Sequence, residues 1–402
     1  MNFQCKRILE PIKVIVINPL APASQLIIVK IMSGVVFGND QLIDLNLLVY
    51  SNEMKSANAF RLEIESCAFS CTNSIKVSSD FPRACDGDVF CFMTNFNNPN
   101  HFDFTKEEYS EHFEALYLIL KLAKNFSWAD DDKEKNFETV KKTAHFNNQE
   151  VKKDVFVKKP IFMADGLVAI DILKSMTKDM PHDILFCPTP ITAIAKQVLG
   201  DFLHVECNMI NEMLVWAAND EVFHVEVEKP LVLHDVVGDE SHCQSGMVGK
   251  DFFESRNFDT TQFSDSWMKK EFIEKVASSA AKNPYGCIYR AAEFSKTLRD
   301  IWLTRSSEDG TKVYTNIGVI SDGSLGTIKG YPYVLPLIFD RGTWSVNNRF
   351  VEDSHLKQEI KRINKAVKNH HQQLIPYCKK FLQDQIINQG LIKGEDDSVS
   401  MF

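Results

Sequence analysis

The chemistry-bearing residues of this 402-residue chain are sparse and scattered. His224, His234, His242 and Cys243 form the single loose cluster of soft ligands. Structural zinc sites usually draw on closely spaced pairs, and none of the ten cysteines lies in a CxxC pair. The spacing therefore predicts no metal centre. A nucleophile elbow would read GxSxG, whereas Gly323 to Gly326 reads GSLG. No phosphate-binding P-loop is present. Arginine, whose planar fork grips carboxylates at two points, is absent between Arg83 and Arg256, although simple proportion would place about four there.

Apolar patterning supplies the elements that would have to position any site. Ile12 to Ile17 (IKVIVI), Ile43 to Tyr50, Asp88 to Thr94 (DVFCFMT) and Ile161 to Ala164 read as strands. Between them, Ser24 to Met32, Ala57 to Phe69 (with Phe60, Ile64 and Cys67 on one face) and Glu107 to Lys124 read as helices. Strand–helix alternation predicts a parallel sheet covered by helices on both sides. Leu356, Ile360, Ile363, Val367, His370 and Leu374 follow steps of four and three, one face of a long helix. Asp353 or Ser354 can cap its start, and Pro376 is expected to end or kink it.

Two segments read as insertions. Residues 129–159 carry seven acids and eight lysines among few apolar residues, the pattern of a solvated face or a docking segment. Residues 227–264 are polar and irregular apart from a short strand candidate at Leu231 to Val237. The net charge of −9 argues against general nucleic-acid binding. The uncharged run Val14 to Val29 is too short for a membrane span and is interrupted by Pro19 and Pro22. Unpaired cysteines and the lack of a signal peptide lead to the expectation of a cytoplasmic protein.

Several motifs together resemble the cytosolic-type malate dehydrogenases of the lactate/malate dehydrogenase family. They are LEPIKVIV (Leu9 to Val16), VFGNDQ (Val36 to Gln41), LEIESCAF (Leu62 to Phe69), DSWMKKEF (Asp265 to Phe272) and the run from Asp300 to Gly326. The character is that of the divergent 1B-like branch. The resemblance implies an α/β fold: a Rossmann-type doubly wound parallel sheet followed by a mixed α/β C-terminal lobe. It divides the chain into a degenerate NAD-binding-like domain over 9–185 with the insertion 129–159, a C-terminal domain over 186–385, and a polar tail over 386–402. It also implies a homodimer.

The family's chemistry needs a glycine turn for pyrophosphate, a carboxylate for the ribose, arginines for the substrate carboxylates and a histidine–aspartate pair for the proton. Aligned without gaps, Asn18 and Ala21 stand at the glycine positions and Val49 at the ribose position. Asn98 and Phe104 occupy the arginine loop, Thr192 and Ala195 the aspartate and second arginine positions, and Asn219 the histidine position. The expectation is therefore a dehydrogenase-like protein without NAD binding or catalysis, with a structural or partner-binding role for which 129–159 is the candidate docking segment. The competing expectation is a divergent NAD-dependent malate or other 2-hydroxy-acid dehydrogenase with a remodelled site, for which His224 is the nearest substitute base. No catalytic, cofactor or metal residue is assigned under the first reading, and neither nucleic acid nor membrane is an expected partner.

Overall fold

The computed structural model describes residues 10–81, 86–105, 109–125, 159–210, 212–227, 267–283, 285–306, 312–349 and 353–388. Its first half alternates β1 (Ile12–Ile17), α1 (Pro22–Met32), β2 (Ile43–Leu48), α2 (Met54–Ser66), β3 (Thr72–Ser78), β4 (Val89–Phe92), α3 (Phe113–Asn125), β5 (Ile161–Ala164), α4 (Leu167–Met176) and β6 (Leu185–Cys187). All six strands are parallel, in the order β3-β2-β1-β4-β5-β6. This is the doubly wound Rossmann arrangement, with its topological switch between β1 and β4.

The second half adds α5 (Ile191–Leu203), β7 (Met213–Ala217), β8 (Phe223–Val227), α6 (Ile273–Ala281), α7 (Cys287–Ser306), β9 (Val313–Ile320), β10 (Pro332–Asp340), β11 (Thr343–Val346) and α8 (Ser354–Asn388). Its strands are antiparallel, and β9 pairs with β6, so one sheet continues from the first half into the second. The insertion 129–158, the strand candidate at 231–237 and the tail from 389 onward lie outside the described residues.

The run IKVIVI shows why the sheet is covered twice. Ile15 and Ile17 enter one core with Phe90, Phe92 and Phe162, while Val14 and Val16 enter another with Val89, Cys91 and Met163. Successive strand residues point to opposite faces, so a strand buried on both sides is apolar throughout. Helices α1 and α7 feed the second core; α3, α4 and α5 feed the first.

Three element expectations change. β3 (TNSIKVS) was not expected, because an edge strand with no fully buried residue lacks an apolar run. Cys67 is exposed rather than packed beside Ile64, since α2 buries only Ala57 and Ile64. In α1, Ile27, Ile28, Ile31 and Met32 are buried while Leu26 and Val29 are exposed.

Pro376 neither ends nor breaks α8, which runs on to Asn388. The first part of α8 places Leu356, Ile360, Ile363 and Val367 in the second core; the part around and after Pro376 places Leu374, Ile375, Cys378 and Phe381 in the first. Burying a large apolar side chain is worth about 1.5–3 kcal/mol, so these residues together outweigh the roughly 3 kcal/mol that an interior proline costs a helix. Asp353 does cap the helix, its Oδ1 accepting from the His355 amide at 2.7 Å.

Candidate functional site

In an open doubly wound sheet, ligands bind beyond the carboxyl ends of the strands. Here that edge carries the loop after β4 (residues 93–105), Asp165 after β5, Pro188 and Pro190 after β6, and the β7–β8 turn at Asn219 and Asp220. A narrow cleft opens among them, lined by Pro99, Asn100, Asp165, Pro188, Pro190, Tyr285, Tyr289, Arg290 and Glu293. The last four come from α7 and the residues just before it, so α7 closes the cleft from the second half of the chain.

Arg290 is the cation of this lining. Its Nη2 donates to Asp165 Oδ2 and, at 2.6 Å, to the Thr94 carbonyl. Thr94 Oγ1 donates to the same Asp165 oxygen at 2.9 Å. The Asp165 side chain is only 1% exposed, and burial pushes its carboxyl up against the opposing pull of Arg290 and Thr94. The guanidinium is thus directed at a carboxylate of its own chain.

The N-terminus of α4, another natural anion site, is also satisfied internally. The Leu167 amide donates to Asn100 Oδ1 at 3.3 Å and the Val168 amide to the Pro99 carbonyl at 3.2 Å. Gly166 permits this contact, because a Cβ there would lie 2.1 Å from the Pro99 oxygen.

At the nucleotide end, Asn18 adopts a left-handed conformation (φ 58°) and its Nδ2 donates to the Met93 carbonyl at 2.9 Å. Asparagine is among the few residues that tolerate this region. The side chain ties the end of β1 to the end of β4 across the topological switch. Ala21 is the N-cap of α1 and offers no capping side chain; Pro22 follows at the first helical position. Val49 is buried and apolar. None of these positions supplies a carboxylate for a ribose or the bare glycine approach that a pyrophosphate requires.

The remaining expected positions serve the fold. Asn98 and Asn100 hydrogen-bond Asp220. Phe104 packs on Phe102, His370 and Tyr377. Thr192 Oγ1 accepts from Asn316 at 3.0 Å, and Ala195 is fully buried. Asn219 Oδ1 accepts from the Glu221 and Val222 amides, shaping the β7–β8 turn. His224 lies on β8 with Nε2 2.7 Å from Glu226 Oε1 and its ring near His355, away from the cleft lining. Among the described residues no group of three potential ligands could hold a metal, and His234, His242 and Cys243 lie outside them.

Sequence reasoning missed four residues that the fold brings together: Asp165, Asp220, Tyr289 and Arg290. Asp165 was legible as the polar residue directly after the strand Ile161–Ala164, where active sites of such sheets gather. Arg290 lies beyond the arginine-free stretch, and only the tertiary placement of α7 returns it to the cleft. Asp220, next to Asn219, is nearly fully buried; burial pushes its carboxyl up to about 7, against hydrogen bonds from Asn98 and Asn100. Burial likewise raises the Tyr289 hydroxyl and the Glu293 carboxyl.

A histidine–carboxylate pair does exist elsewhere. His371 Nδ1 lies 2.7 Å from Asp171 Oδ1, joining α8 to α4, but neither residue lines the cleft.

Comparison with known proteins places this geometry in context. No protein-family profile matches the chain. A Bos taurus protein provisionally named malate dehydrogenase 1B is 21% identical over 343 residues, 85% of this chain, which in turn spans 64% of that relative's length. The cytoplasmic malate dehydrogenase 3 of Arabidopsis thaliana is 22% identical, covering 84% of this chain and 87% of its own. Among solved structures, the Naegleria fowleri malate dehydrogenase superposes with a TM-score of 0.63 at 12% identity, covering 92% of this chain and 100% of that one. The Trichomonas vaginalis lactate dehydrogenase in complex with NADH and oxamate gives 0.61 at 13% identity, over 92% and 99%. The fold is that of the lactate and malate dehydrogenases, and the resemblance to malate dehydrogenases extends over most of the chain.

Proposed function

We propose that this chain is a malate dehydrogenase-like protein that has lost dinucleotide binding and hydride transfer and acts by binding. The observation that carries the reading is the buried Asp165–Arg290 pair, which sets a carboxylate of the chain itself against the cleft's guanidinium. Asp165 already neutralises the guanidinium through Nη2, so a substrate carboxylate would gain less from Arg290 than from an uncommitted arginine. Asn18 supports the reading at the nucleotide end by bridging the strand ends where the pyrophosphate would lie. Purified protein is expected to show no NADH oxidation with oxaloacetate above a boiled-enzyme blank, and clear turnover would refute the proposal.

A second reading, a remodelled 2-hydroxy-acid dehydrogenase, is favoured by Asp220 rather than by His224. A carboxyl with a pKa of about 7 at the β7–β8 turn suits a proton carrier. If any activity is found, Asp220→Asn should reduce it about 10²- to 10⁴-fold, while His224→Ala leaves it intact.

We place the protein in the cytoplasm, in keeping with the names of its plant relatives; no described helix is long and apolar enough to cross a membrane. We further propose a homodimer, with residues 129–159 available to a protein partner. Light scattering tests the first, and loss of a pull-down on deleting 129–159 tests the second.

A further inference from the structure

We propose that the outward face of α8 is a docking surface for an acidic polypeptide segment of a partner protein. The inference goes beyond the reading above and does not depend on the state of the cleft. α8 carries seven basic residues against two acidic ones, in a chain whose net charge is −9. Lys357, Lys361, Lys365, Lys368 and Lys379 follow steps of four, four, three and eleven, so they fall in one row along the helix. All five are exposed. The row lies on the side away from the buried stripe of Leu356, Ile360, Ile363, Val367 and Leu374, and at about 1.5 Å per residue it runs for roughly 33 Å.

An outward helix face is polar in any globular protein, and polarity alone asks for no partner. The single sign of this face does. An acid and a base three or four residues apart support an exposed helix, whereas lysines at those spacings repel one another. The two acids of α8 do not relieve the row: Glu359 pairs with Arg362, and Asp384 accepts from the Tyr109 hydroxyl at 2.8 Å. Among the described residues, Lys361, Lys365, Lys368 and Lys379 form no ion pair. The row is thus a positive strip without an internal counter-charge on an acidic molecule. Size and chemistry choose its occupant. Charges act over only about 8 Å at physiological salt, so a short acidic segment lying along the helix feels the row, while a nucleic acid or an anionic membrane extends past it and meets the excess acid of the rest of the chain. A membrane-surface helix also presents large apolar side chains, and α8 exposes none among its described residues. Phosphate recognition favours the arginine fork, and the one arginine of α8 is committed to Glu359 and the Phe223 carbonyl. Carboxylates four residues apart on a partner helix repeat the lysine spacing of about 6 Å along the axis.

The test is the fluorescence anisotropy of a fluorescein-labelled oligoglutamate titrated with the full chain, beside a labelled oligothymidylate and co-sedimentation with phosphatidylserine vesicles. Saturable oligoglutamate binding is expected, weakening as salt is raised. Lys361→Glu, Lys365→Glu and Lys368→Glu together are expected to weaken it about tenfold. Lys55→Glu, Lys178→Glu and Lys282→Glu make the same change in net charge at exposed lysines outside α8, and are expected to leave binding within about twofold. Folding is checked by circular dichroism; should the reversed set not fold, Lys361→Gln, Lys365→Gln and Lys368→Gln together are expected to weaken binding about threefold. The proposal is overturned by absent oligoglutamate binding, by equal weakening in the set outside α8, or by tighter binding of the oligothymidylate or the vesicles.

Discussion

At the scale of single residues, the cleft is governed by groups that burial has made expensive to charge. Arg290 and Asp165 hold one another, and removing either leaves the other charged in a buried place. Arg290→Leu is expected to lower stability by about 3–5 kcal/mol in urea unfolding. The double variant with Asp165→Leu should cost less than the sum of the two single changes, because the stranded charge is gone. Asp220 adds a pH dependence. Its pKa of about 7 lies above the ordinary 3.8, so between those values the folded chain keeps a proton that the unfolded chain releases. Its contribution to stability therefore falls as pH rises through this window and is flat above it. His370, which burial lowers to about 4, acts in the opposite sense: the folded chain refuses a proton below about 6.5, so stability falls as pH drops toward 4. The Asp220 effect is read as a difference: Asp220→Asn should gain melting temperature relative to the parent chain between pH 5 and pH 8. A constant difference across that range would show that Asp220 does not titrate there. Of these residues, Asp165 could have been found from its place after a strand, while Asn18, Ala21 and Val49 come from the register of the resemblance. Arg290 and Asp220 could not be read as a group, because their meeting depends on how α7 and the β7–β8 turn return to the first sheet half.

At the scale of elements, apolar periodicity was reliable where both faces of a strand or one face of a helix are buried. The runs IKVIVI and IFMA became β1 and β5 at their expected positions, and the face from Leu356 to Leu374 became the inward side of α8. It failed at the edge, where β3 needs no apolar run, and in allowing Pro376 to end the helix, where local preference lost to tertiary burial. The second failure is testable. Pro376→Ala should raise stability by about 1–3 kcal/mol, since alanine restores a donor to a helix that already passes through this point. Phe381→Ala, five residues on, should lower it by about 3–5 kcal/mol, because that ring packs on Tyr109 and Phe113. If Pro376→Ala were destabilising, the proline would be serving a bend that the helix needs.

At the scale of the whole molecule, β6 and β9 join the two halves into one sheet, and each core contains residues from both. Scanning calorimetry is therefore expected to show one unfolding transition, and two separated transitions would contradict a shared core. Strand–helix alternation predicted the parallel sheet and the family resemblance added its doubly wound order, because that fold depends on many apolar positions that tolerate exchange among themselves. Function depends on a few groups with fixed geometry, and we propose that these have been replaced in this chain while the scaffold remains. The proposed loss of hydride transfer requires that the strand ends no longer grip a dinucleotide. Calorimetric titration of NADH into the full chain addresses that claim most directly. No binding isotherm up to millimolar NADH is predicted, and a one-to-one isotherm in the micromolar range would contradict the account.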